Sequence, residues 1–173
     1  MNADDLRKYI RDVPDFPEPG ILFRDVTPLL ADAAAHRAAV ERVAEPFRNA
    51  GIDRVLGIES RGFIFGAPVA LALETGFGLV RKAGKLPYET LAMEYALEYG
   101  TDRVEMHVDA VGPGQRVLIV DDLIATGGTA AAALALARKA GAEVVGAAFL
   151  IELTALEGRA RLDVPEIHTV LRY

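Results

Sequence analysis

The chain has 173 residues, of which 51% are hydrophobic and 25% are charged, and its formal net charge is −6. This length and composition predict one globular domain with a sizeable core. An acidic chain lacks the basic surface that nucleic-acid binding usually needs, and no apolar run approaches the roughly 18 residues of a membrane span. The absence of cysteine excludes disulfides and thiolate metal sites. With no basic-then-apolar leader, we expect a cytoplasmic protein that has neither nucleic acid nor membrane as a partner.

The N-terminal residues are predicted to form a helix, a stiff loop and an apolar strip. Ala3 to Arg11 is the helix, with Asn2 as its cap. The loop follows at residues 14–20, where three prolines and a glycine forbid regular helix. Residues 21–28 are the apolar strip, which contains an Arg-Asp step. By composition alone this strip is a loop that buries apolar side chains and pairs its charges.

A short predicted strand, Arg54 to Ile58, leads into the turn Glu-Ser-Arg-Gly-Phe at residues 59–63. Ser60 can cap the helix that follows, which is predicted to run through Leu73. Two interpretations of Arg61 are open. It is either a solvated loop arginine or, at a glycine-bearing strand-to-helix turn, part of an anion site.

A basic run follows the third predicted strand, Gly76 to Val80. Residues 81–85, Arg-Lys-Ala-Gly-Lys, place three cations within five positions of a net-acidic chain. Such a run is either a solvated loop or an electrostatic clamp for pyrophosphate at the end of a strand beside phosphate sites.

The next segment predicts an antiparallel hairpin that forms a flap on a parallel core. Apolar and polar residues alternate along 91–99 and again along 104–109, with a turn expected at Gly100-Thr101-Asp102. Glu98 then points to the opposite face from Leu97 and Tyr99. By pattern alone it is an exposed strand glutamate.

The most informative stretch is residues 117–129, Val-Leu-Ile-Val-Asp-Asp-Leu-Ile-Ala-Thr-Gly-Gly-Thr. Val117 to Val120 is a β-branched apolar run that predicts a central parallel strand buried on both faces. An Ala/Leu helix begins after Thr129, so residues 125–129 lie where a strand becomes a helix. Glycines there allow a tight turn, and free N–H groups at a helix start favour a phosphate.

Asp121 and Asp122 narrow the choice of ligand. Carboxylates at the carboxyl end of a strand suit vicinal hydroxyls, as on a ribose, or a hydrated Mg²⁺. The loop lacks the lysine of a Walker motif and is not a dinucleotide-binding fingerprint. We therefore predict a ribose 5-phosphate moiety as ligand. The alternative is an ordinary surface turn that caps a helix.

This stretch resembles the phosphoribosyl pyrophosphate (PRPP) motif of the type I phosphoribosyltransferases. In that family the acidic pair holds the ribose hydroxyls, the loop holds the 5-phosphate, the turn matching residues 59–63 receives pyrophosphate, and the basic run opens a mobile loop. The resemblance therefore implies three sets of PRPP ligands. They are Asp121 and Asp122 for the ribose, Ala125, Thr126, Gly127, Gly128 and Thr129 for the 5-phosphate, and Ser60, Arg61, Arg81, Lys82 and Lys85 for pyrophosphate.

Residues 16–25 resemble the N-terminal signature of the adenine phosphoribosyltransferases, where this segment forms a hood over the purine. The match implies that Leu22 and Phe23 supply apolar and stacking surface, and that Arg24 with neighbouring backbone groups addresses the base edge. It also implies that Leu153 lies against the purine. The Leu-Glu-Tyr-Gly at 97–100 is similar to the end of the family's mobile loop, so Glu98 is implied to handle the purine proton. Glu98 and Arg61 are the implied catalytic residues.

The resemblance spans nearly the whole chain and implies an α/β fold of the type I phosphoribosyltransferase kind. We expect one domain over 1–173, with a central parallel sheet flanked by helices, an N-terminal hood over about 1–33, and a mobile loop and hairpin flap over about 81–109. The implied reaction joins adenine to PRPP to give AMP and pyrophosphate in a homodimer. Mg²⁺ is carried by PRPP, and water-mediated contact with the acidic pair is an open possibility.

Two alternatives stay open at this point. The first is the same reaction on another purine, such as xanthine or hypoxanthine. The second is a non-catalytic regulator that keeps the pocket as a PRPP sensor, although intact Arg61, Lys82, Lys85 and Glu98 argue against it.

Overall fold

The structure is a computed structural model that describes residues 1–96 and 101–173. Its helices are α1 (Ala3–Arg7), α2 (Thr27–Ala31), α3 (Ala33–Ala44), α4 (Arg61–Ala72) and α5 (Gly128–Lys139). Its strands are β1 (Arg11–Pro14), β2 (Leu22–Asp25), β3 (Arg54–Ile58), β4 (Gly76–Lys82), β5 (Thr90–Ala96), β6 (Thr101–His107), β7 (Arg116–Ile124), β8 (Glu143–Glu152) and β9 (Glu166–Arg172). Short 3₁₀ helices span Glu45–Phe47, Thr154–Leu156 and Gly158–Arg161. None of the helices in these two described ranges is long and apolar enough to cross a bilayer.

Seven strands form the main sheet in the order β5-β6-β4-β3-β7-β8-β9. Neighbours from β4 through β9 in this order are parallel, whereas β6 pairs antiparallel with both β4 and β5. The predicted α/β fold with a central parallel sheet and a hairpin flap is therefore confirmed. The predicted hairpin turn is partly wrong, because Thr101 and Asp102 belong to β6 and pair with Ala96 and Tyr95. Gly100 lies outside the described residues.

Strand β7 is at the centre of the core, as its apolar run predicts. Val117 and Ile119 pack into the cluster on the α5 side of the sheet, while Leu118 and Val120 pack into the opposite cluster with α3 and α4. All four side chains are fully buried. Alternating directions of successive side chains thus bury both faces of one strand, which is why it reads as a continuous apolar run.

The N-terminal segment differs from the prediction. Asn2 caps α1 through a reciprocal capping box, as expected, but the helix ends at Arg7 rather than Arg11. Residues 11–14 instead form β1, which pairs antiparallel with β2. Residues 22–25 of the predicted strip are therefore one strand of a two-stranded sheet, and Thr27 and Pro28 begin α2, so the strip is not a loop. Pairing with a partner strand outweighs the weak helical preference of a short segment that ends in Pro14.

Candidate active site

The carboxyl ends of four adjacent parallel strands bring most of the predicted ligands to one edge of the sheet. The basic run begins with the last two residues of β4, which extends to Lys82 and not only to the predicted Val80. The sheet order β4-β3-β7-β8 makes neighbours of this run, the turn after β3, the acidic pair near the end of β7, and Leu153 after β8. Open α/β sheets bind ligands at this edge. The predicted grouping therefore follows from strand order, which the sequence alone does not give.

The predicted phosphate loop, residues 125–129, lines a cavity of about 110 Å³ together with residues 121, 123, 124 and 130. This is several times the roughly 30 Å³ that one water molecule occupies in the liquid, so a phosphate group has room there. Gly127 has φ +79° at the helix N-cap. The first helical bond of α5 runs from the Ala131 N–H to the Gly127 carbonyl at 2.9 Å. The N–H groups of residues 128–130 consequently have no intrahelical partner and are available to an anion.

The acidic pair lies beside this cavity, with Asp121 partly buried and lining it and Asp122 buried. Asp122 is 4% exposed, and the Arg61 Nε lies 3.0 Å from its Oδ2. Nevertheless, no hydrogen bond from a described residue reaches that buried oxygen with good geometry. Burial raises the pKa of Asp121, and the neighbouring Asp122 charge raises it further. Burial also raises the pKa of Asp122, although Arg61 opposes this. Arg61 therefore balances the charge of the buried Asp122, while the partly exposed Asp121 carboxylate lines the cavity, where it can accept from a hydroxyl donor or bind a cation.

Arg61 connects two parts of the site, the acidic pair and the hood. Besides its approach to Asp122, its guanidinium carbon lies 5.0 Å from the centroid of the Phe23 ring in the hood. The start of α4 comes close to β7 because residue 62 is glycine. A Cβ there would lie 2.7 Å from the Asp121 Oδ1. Ser60 occupies the predicted N-cap position, but its hydroxyl makes no capping hydrogen bond.

Glu59 bonds to residues of the basic run, a role that the sequence did not predict. Arg81 contacts its two carboxylate oxygens at 3.2 and 3.3 Å, the Lys85 Nζ lies 2.6 Å from Oε1, and the Lys82 backbone N–H donates to Oε2 at 2.9 Å. Burial alone would raise the pKa of Glu59, but the bonds from Lys85, Arg81 and the Lys82 backbone outweigh it and lower the pKa to about 2. The Lys82 ammonium pairs instead with Asp102 on β6. The predicted pyrophosphate cations are thus held by carboxylates of the chain itself.

Replacing Glu59 by glutamine is expected to lower the free energy of unfolding near pH 7, by an amount that shrinks on acidification. The pKa falls from 4.5 to about 2 on folding, so the stabilisation is fully present above pH 4.5 and is lost as the pH falls toward 2. One pKa unit corresponds to about 1.4 kcal/mol, and solvent screening reduces this. We therefore expect the difference between the two proteins to fall by about 1 kcal/mol between about pH 6 and pH 3.5.

Urea unfolding of both proteins across this pH range measures that difference. Glu143→Gln is the matched control, since Glu143 pairs with Arg116 at an exposed site where an ion pair contributes little. A Glu59→Gln difference that stayed constant with pH would contradict the charge network.

Strands β1 and β2 lie within the predicted hood. Leu22 and Phe23 of β2 are the side chains that we predict to supply its apolar surface. Leu22 is 45% exposed, and the Phe23 ring makes an edge contact with Phe16 at 5.1 Å between centroids. The Arg24 guanidinium is engaged elsewhere: it pairs with Asp12 and lies 4.0 Å over the centroid of the Tyr173 ring. Its side chain therefore anchors the hood to the end of the chain. Contact with the base edge is left as a prediction, for which the backbone of this segment is available.

Leu153 lies next to the phosphate loop, on the side toward β8. Its N–H donates to the Ile124 carbonyl at 3.0 Å, and its side chain is half-buried against the core. Leu153 lies at the carboxyl edge of the sheet, directly after β8. Its contact with a base stays a prediction.

Arg24→Ala is expected to raise the KM for adenine while leaving PRPP affinity unchanged. The change removes the ion pair with the half-exposed Asp12 and one of the two guanidiniums over the Tyr173 ring, the other being that of Arg7, so the hood is held less firmly at a cost of about 1 kcal/mol. Steady-state kinetics in each substrate measure the two effects separately. Arg11→Ala is the control, because Arg11 pairs with Asp25 in the same hairpin but is 63% exposed. Loss of PRPP affinity with normal adenine use would invert the assignment.

Glu98 lies outside the described residues, together with Leu97, Tyr99 and Gly100. The strand that leads to it is described. The Tyr95 hydroxyl donates to Asp102 at 2.9 Å and accepts from the Thr129 hydroxyl at 3.4 Å. The flap therefore passes beside the phosphate loop, and the role of Glu98 remains a prediction.

A mostly parallel sheet with a glycine turn and an acidic pair at its carboxyl edge is typical of α/β proteins that bind phosphorylated ligands. A family model described as the phosphoribosyl transferase domain matches residues 27–170. The chain belongs to the phosphoribosyltransferase family and is a pentosyl-transferring enzyme, which confirms the family predicted from the sequence.

Several relatives are similar over nearly their full length. The chain is 62% identical over 170 residues to an adenine phosphoribosyltransferase of Thermosynechococcus vestitus, which covers 98% of this chain and 99% of that protein. A crystal structure of the adenine phosphoribosyltransferase of Rhodothermus marinus matches with a TM-score of 0.94 and 59% identity, covering 99% and 98% of the two chains. The enzyme of Saccharomyces cerevisiae, complexed with an imino-altritol bisphosphate and adenine, matches with a TM-score of 0.92 and 42% identity over 98% of each chain.

Proposed function

We propose that this enzyme transfers the 5-phosphoribosyl group of PRPP to adenine, giving AMP and pyrophosphate. One observation carries the proposal: the phosphate loop, the acidic pair and the hood lie together in a chain that is 62% identical to an adenine phosphoribosyltransferase. The complex of the yeast relative with adenine and a bisphosphate supports the choice of base.

Each part of PRPP has its own set of ligands in this proposal. The 5-phosphate binds the N–H groups and hydroxyls of residues 125–129, and the ribose hydroxyls bind Asp121 and Asp122. Adenine lies between the hood and the carboxyl end of β8. The pyrophosphate ligands are Ser60, Arg61, Arg81, Lys82 and Lys85, and the adenine ligands are Leu22, Phe23, Arg24 and Leu153. The hood (about 1–33) and the mobile loop with its flap (about 81–109) belong to one domain.

The chemistry requires little covalent participation by the protein. As pyrophosphate leaves, C1 of the ribose becomes oxocarbenium-like, so the protein must stabilise the leaving anion and hold the base in line. Arg61 lies between the acidic pair and the hood, where it can contact pyrophosphate while Phe23 contacts the base. Arg81 and Lys85 can bind pyrophosphate once their ion pairs with Glu59 are broken.

Mg²⁺ fits the same edge of the sheet. The acidic pair supplies two carboxylates, of which that of Asp121 lines the phosphate cavity, and Mg²⁺ binds through one or two carboxylates plus water and substrate phosphates. Bound to PRPP, it would neutralise charge on the pyrophosphate. Asp121 and Asp122 would hold its water ligands or the ribose hydroxyls directly.

Glu98 serves as the general base in this proposal. Adenine carries an imidazole proton that must leave as N9 bonds to C1, and a carboxylate on the flap can accept it. Such groups typically contribute about 10²–10⁴-fold. Glu98→Gln is therefore expected to slow AMP formation with a smaller change in PRPP affinity. Single-turnover kinetics measure the chemical step, because slow product release can mask it in steady state. An unchanged chemical rate would reduce Glu98 to a loop residue.

A panel of purines tests the substrate assignment. Pyrophosphate release from PRPP is measured with adenine, hypoxanthine, xanthine and guanine. We expect a strong preference for adenine. Preference for an oxopurine would change the base, and PRPP binding without turnover on any purine would make the chain a sensor.

We also propose that the enzyme is a cytoplasmic homodimer. Exposed apolar side chains on α4 and the neighbouring strand β4 support a second copy as partner: Ile64 is 39% exposed, Leu71 79% and Leu79 37%. The lack of cysteine fits a reducing compartment. Sedimentation equilibrium tests the dimer, with Leu71→Glu expected to shift it toward monomer.

A further inference from the structure

Gly158 touches the phosphate loop, although it is about thirty residues away in sequence. A Cβ on Gly158 would lie 2.2 Å from the Ala125 carbonyl oxygen and 2.8 Å from the Gly127 nitrogen. Conversely, a Cβ on Gly127 would lie 2.3 Å from the Gly158 carbonyl oxygen. The two backbones are therefore in direct contact, with no side chain between them. Because Gly158 does not have a positive φ, its backbone would accept any residue, and only this contact requires glycine.

Arg159 fixes the segment that carries Gly158. Its Nε and Nη2 bond the two oxygens of Glu152 at 3.1 and 2.9 Å, and its Nη1 bonds the Ile167 carbonyl at 2.8 Å. Thr169 donates to the same carboxylate at 2.8 Å, and the Arg172 Nε lies 3.2 Å from it. The bonds from Arg159 outweigh burial and lower the pKa of Glu152, which is 7% exposed. A bidentate, charge-assisted pair of this kind has a defined geometry.

The position of Glu152 relative to the phosphate loop is in turn fixed by strand pairing. Glu152 is the last residue of β8 and pairs with Ile124, the last residue of β7, directly before the loop begins. Two sets of contacts therefore link β8 and the segment after it to the loop. One is the pairing of β7 with β8, and the other runs through Arg159 and Gly158. Together these contacts hold the carbonyl of Ala125 and the nitrogen of Gly127 through a segment that supplies none of the residues lining the ligand cavity.

We propose that Gly158 and Arg159 are positioning residues that set the geometry of the phosphate loop and so determine its affinity for the 5-phosphate. The inference rests on the proposed role of residues 125–129. A loop held in this way presents its free N–H groups without an ordering cost at binding. Displacing the loop by a fraction of an ångström should therefore weaken phosphate binding before it affects adenine or pyrophosphate.

Gly158→Ala, Arg159→Met and Arg159→Lys test the proposal. Titration calorimetry measures binding of PRPP, ribose 5-phosphate and pyrophosphate to each purified full-length variant, alongside the thermal midpoint. Gly112→Ala is the matched control, since Gly112 also lacks a positive φ, but its added Cβ would meet only ordinary contacts at 3.7 Å or more. We expect Gly158→Ala and Arg159→Met to lose roughly tenfold or more in affinity for ribose 5-phosphate, with pyrophosphate affinity within about twofold.

Arg159→Lys keeps one charge-assisted bond to Glu152 and should recover part of the loss. The proposal is overturned if ribose 5-phosphate affinity is normal in both Gly158→Ala and Arg159→Met, or if all ligands weaken in proportion to a lowered thermal midpoint. Should Gly158→Ala fail to fold, the Arg159 pair decides the matter alone. If the wild-type protein binds neither PRPP nor ribose 5-phosphate, the proposed function falls as well, which separates the two failures.

Discussion

Replacing Gly127 by alanine is expected to raise the KM for PRPP by about 100-fold. Gly127 has φ +79°, which costs an L-residue about 1–2 kcal/mol, and its added Cβ would lie 2.3 Å from the Gly158 carbonyl oxygen. The loop can accommodate that methyl only by moving, and a displacement of about 1 Å in a positioned site can cost about 100-fold. The adenine KM should change little because the hood is untouched. Steady-state kinetics with each substrate varied in turn measure both values.

Gly114→Ala separates loop displacement from backbone strain. Gly114 has φ +76°, almost the same as Gly127, but a Cβ there would meet nothing within 4 Å. The two variants should therefore lose similar stability from strain, while only Gly127→Ala loses PRPP affinity. Equal kinetic effects in both would show that general destabilisation, rather than the contact with Gly158, is responsible.

Asp122→Asn is expected to lower kcat/KM for PRPP by about 10- to 100-fold with no loss of adenine affinity. The carboxylate has a buried oxygen that no described residue satisfies, and an amide would lose charge-assisted bonds to ribose hydroxyls or metal waters worth about 1.5–3 kcal/mol. Burial already raises the pKa of this group. Removing its charge relieves that desolvation cost but also breaks the ion pair with the partly exposed Arg61, so we expect only a small change in the thermal midpoint.

A magnesium titration sharpens this test. If Asp122 holds metal waters, the variant should need more Mg²⁺ for half-maximal activity. If it holds ribose hydroxyls alone, the Mg²⁺ dependence should match that of the wild type. Asp163→Asn is the control, because that carboxylate is fully exposed next to Arg138. Unchanged use of PRPP by Asp122→Asn would remove the acidic pair from the ligand site.

The features that the sequence predicted well are those formed by consecutive residues. Strand β3 has the predicted bounds, Arg54 to Ile58, and β7 contains the predicted buried run within a longer strand. Asn2 caps α1 as expected. A strand, an acidic pair and a glycine turn before a helix are written within thirteen residues, so their mutual geometry follows from local backbone rules.

The features that the sequence did not predict involve residues far apart in the chain. Glu59 pairs with Arg81 and Lys85, the Arg24 guanidinium lies over the Tyr173 ring, and residues 11–14 form a strand that pairs with β2 instead of extending the predicted helix. Local periodicity does not show which charged side chains will pair. The order of strands in the sheet determines these pairs.

By itself the sequence determined the chemistry of the phosphate loop and the acidic pair, because neighbouring residues determine both the turn and the groups that it exposes. Only the tertiary structure decided how that loop is supported. Gly158 meets Gly127 because β7 and β8 are adjacent and Arg159 bonds Glu152 at the end of β8. Such close approach of two backbones depends on long-range packing, for which a lone glycine after β8 gives no signal.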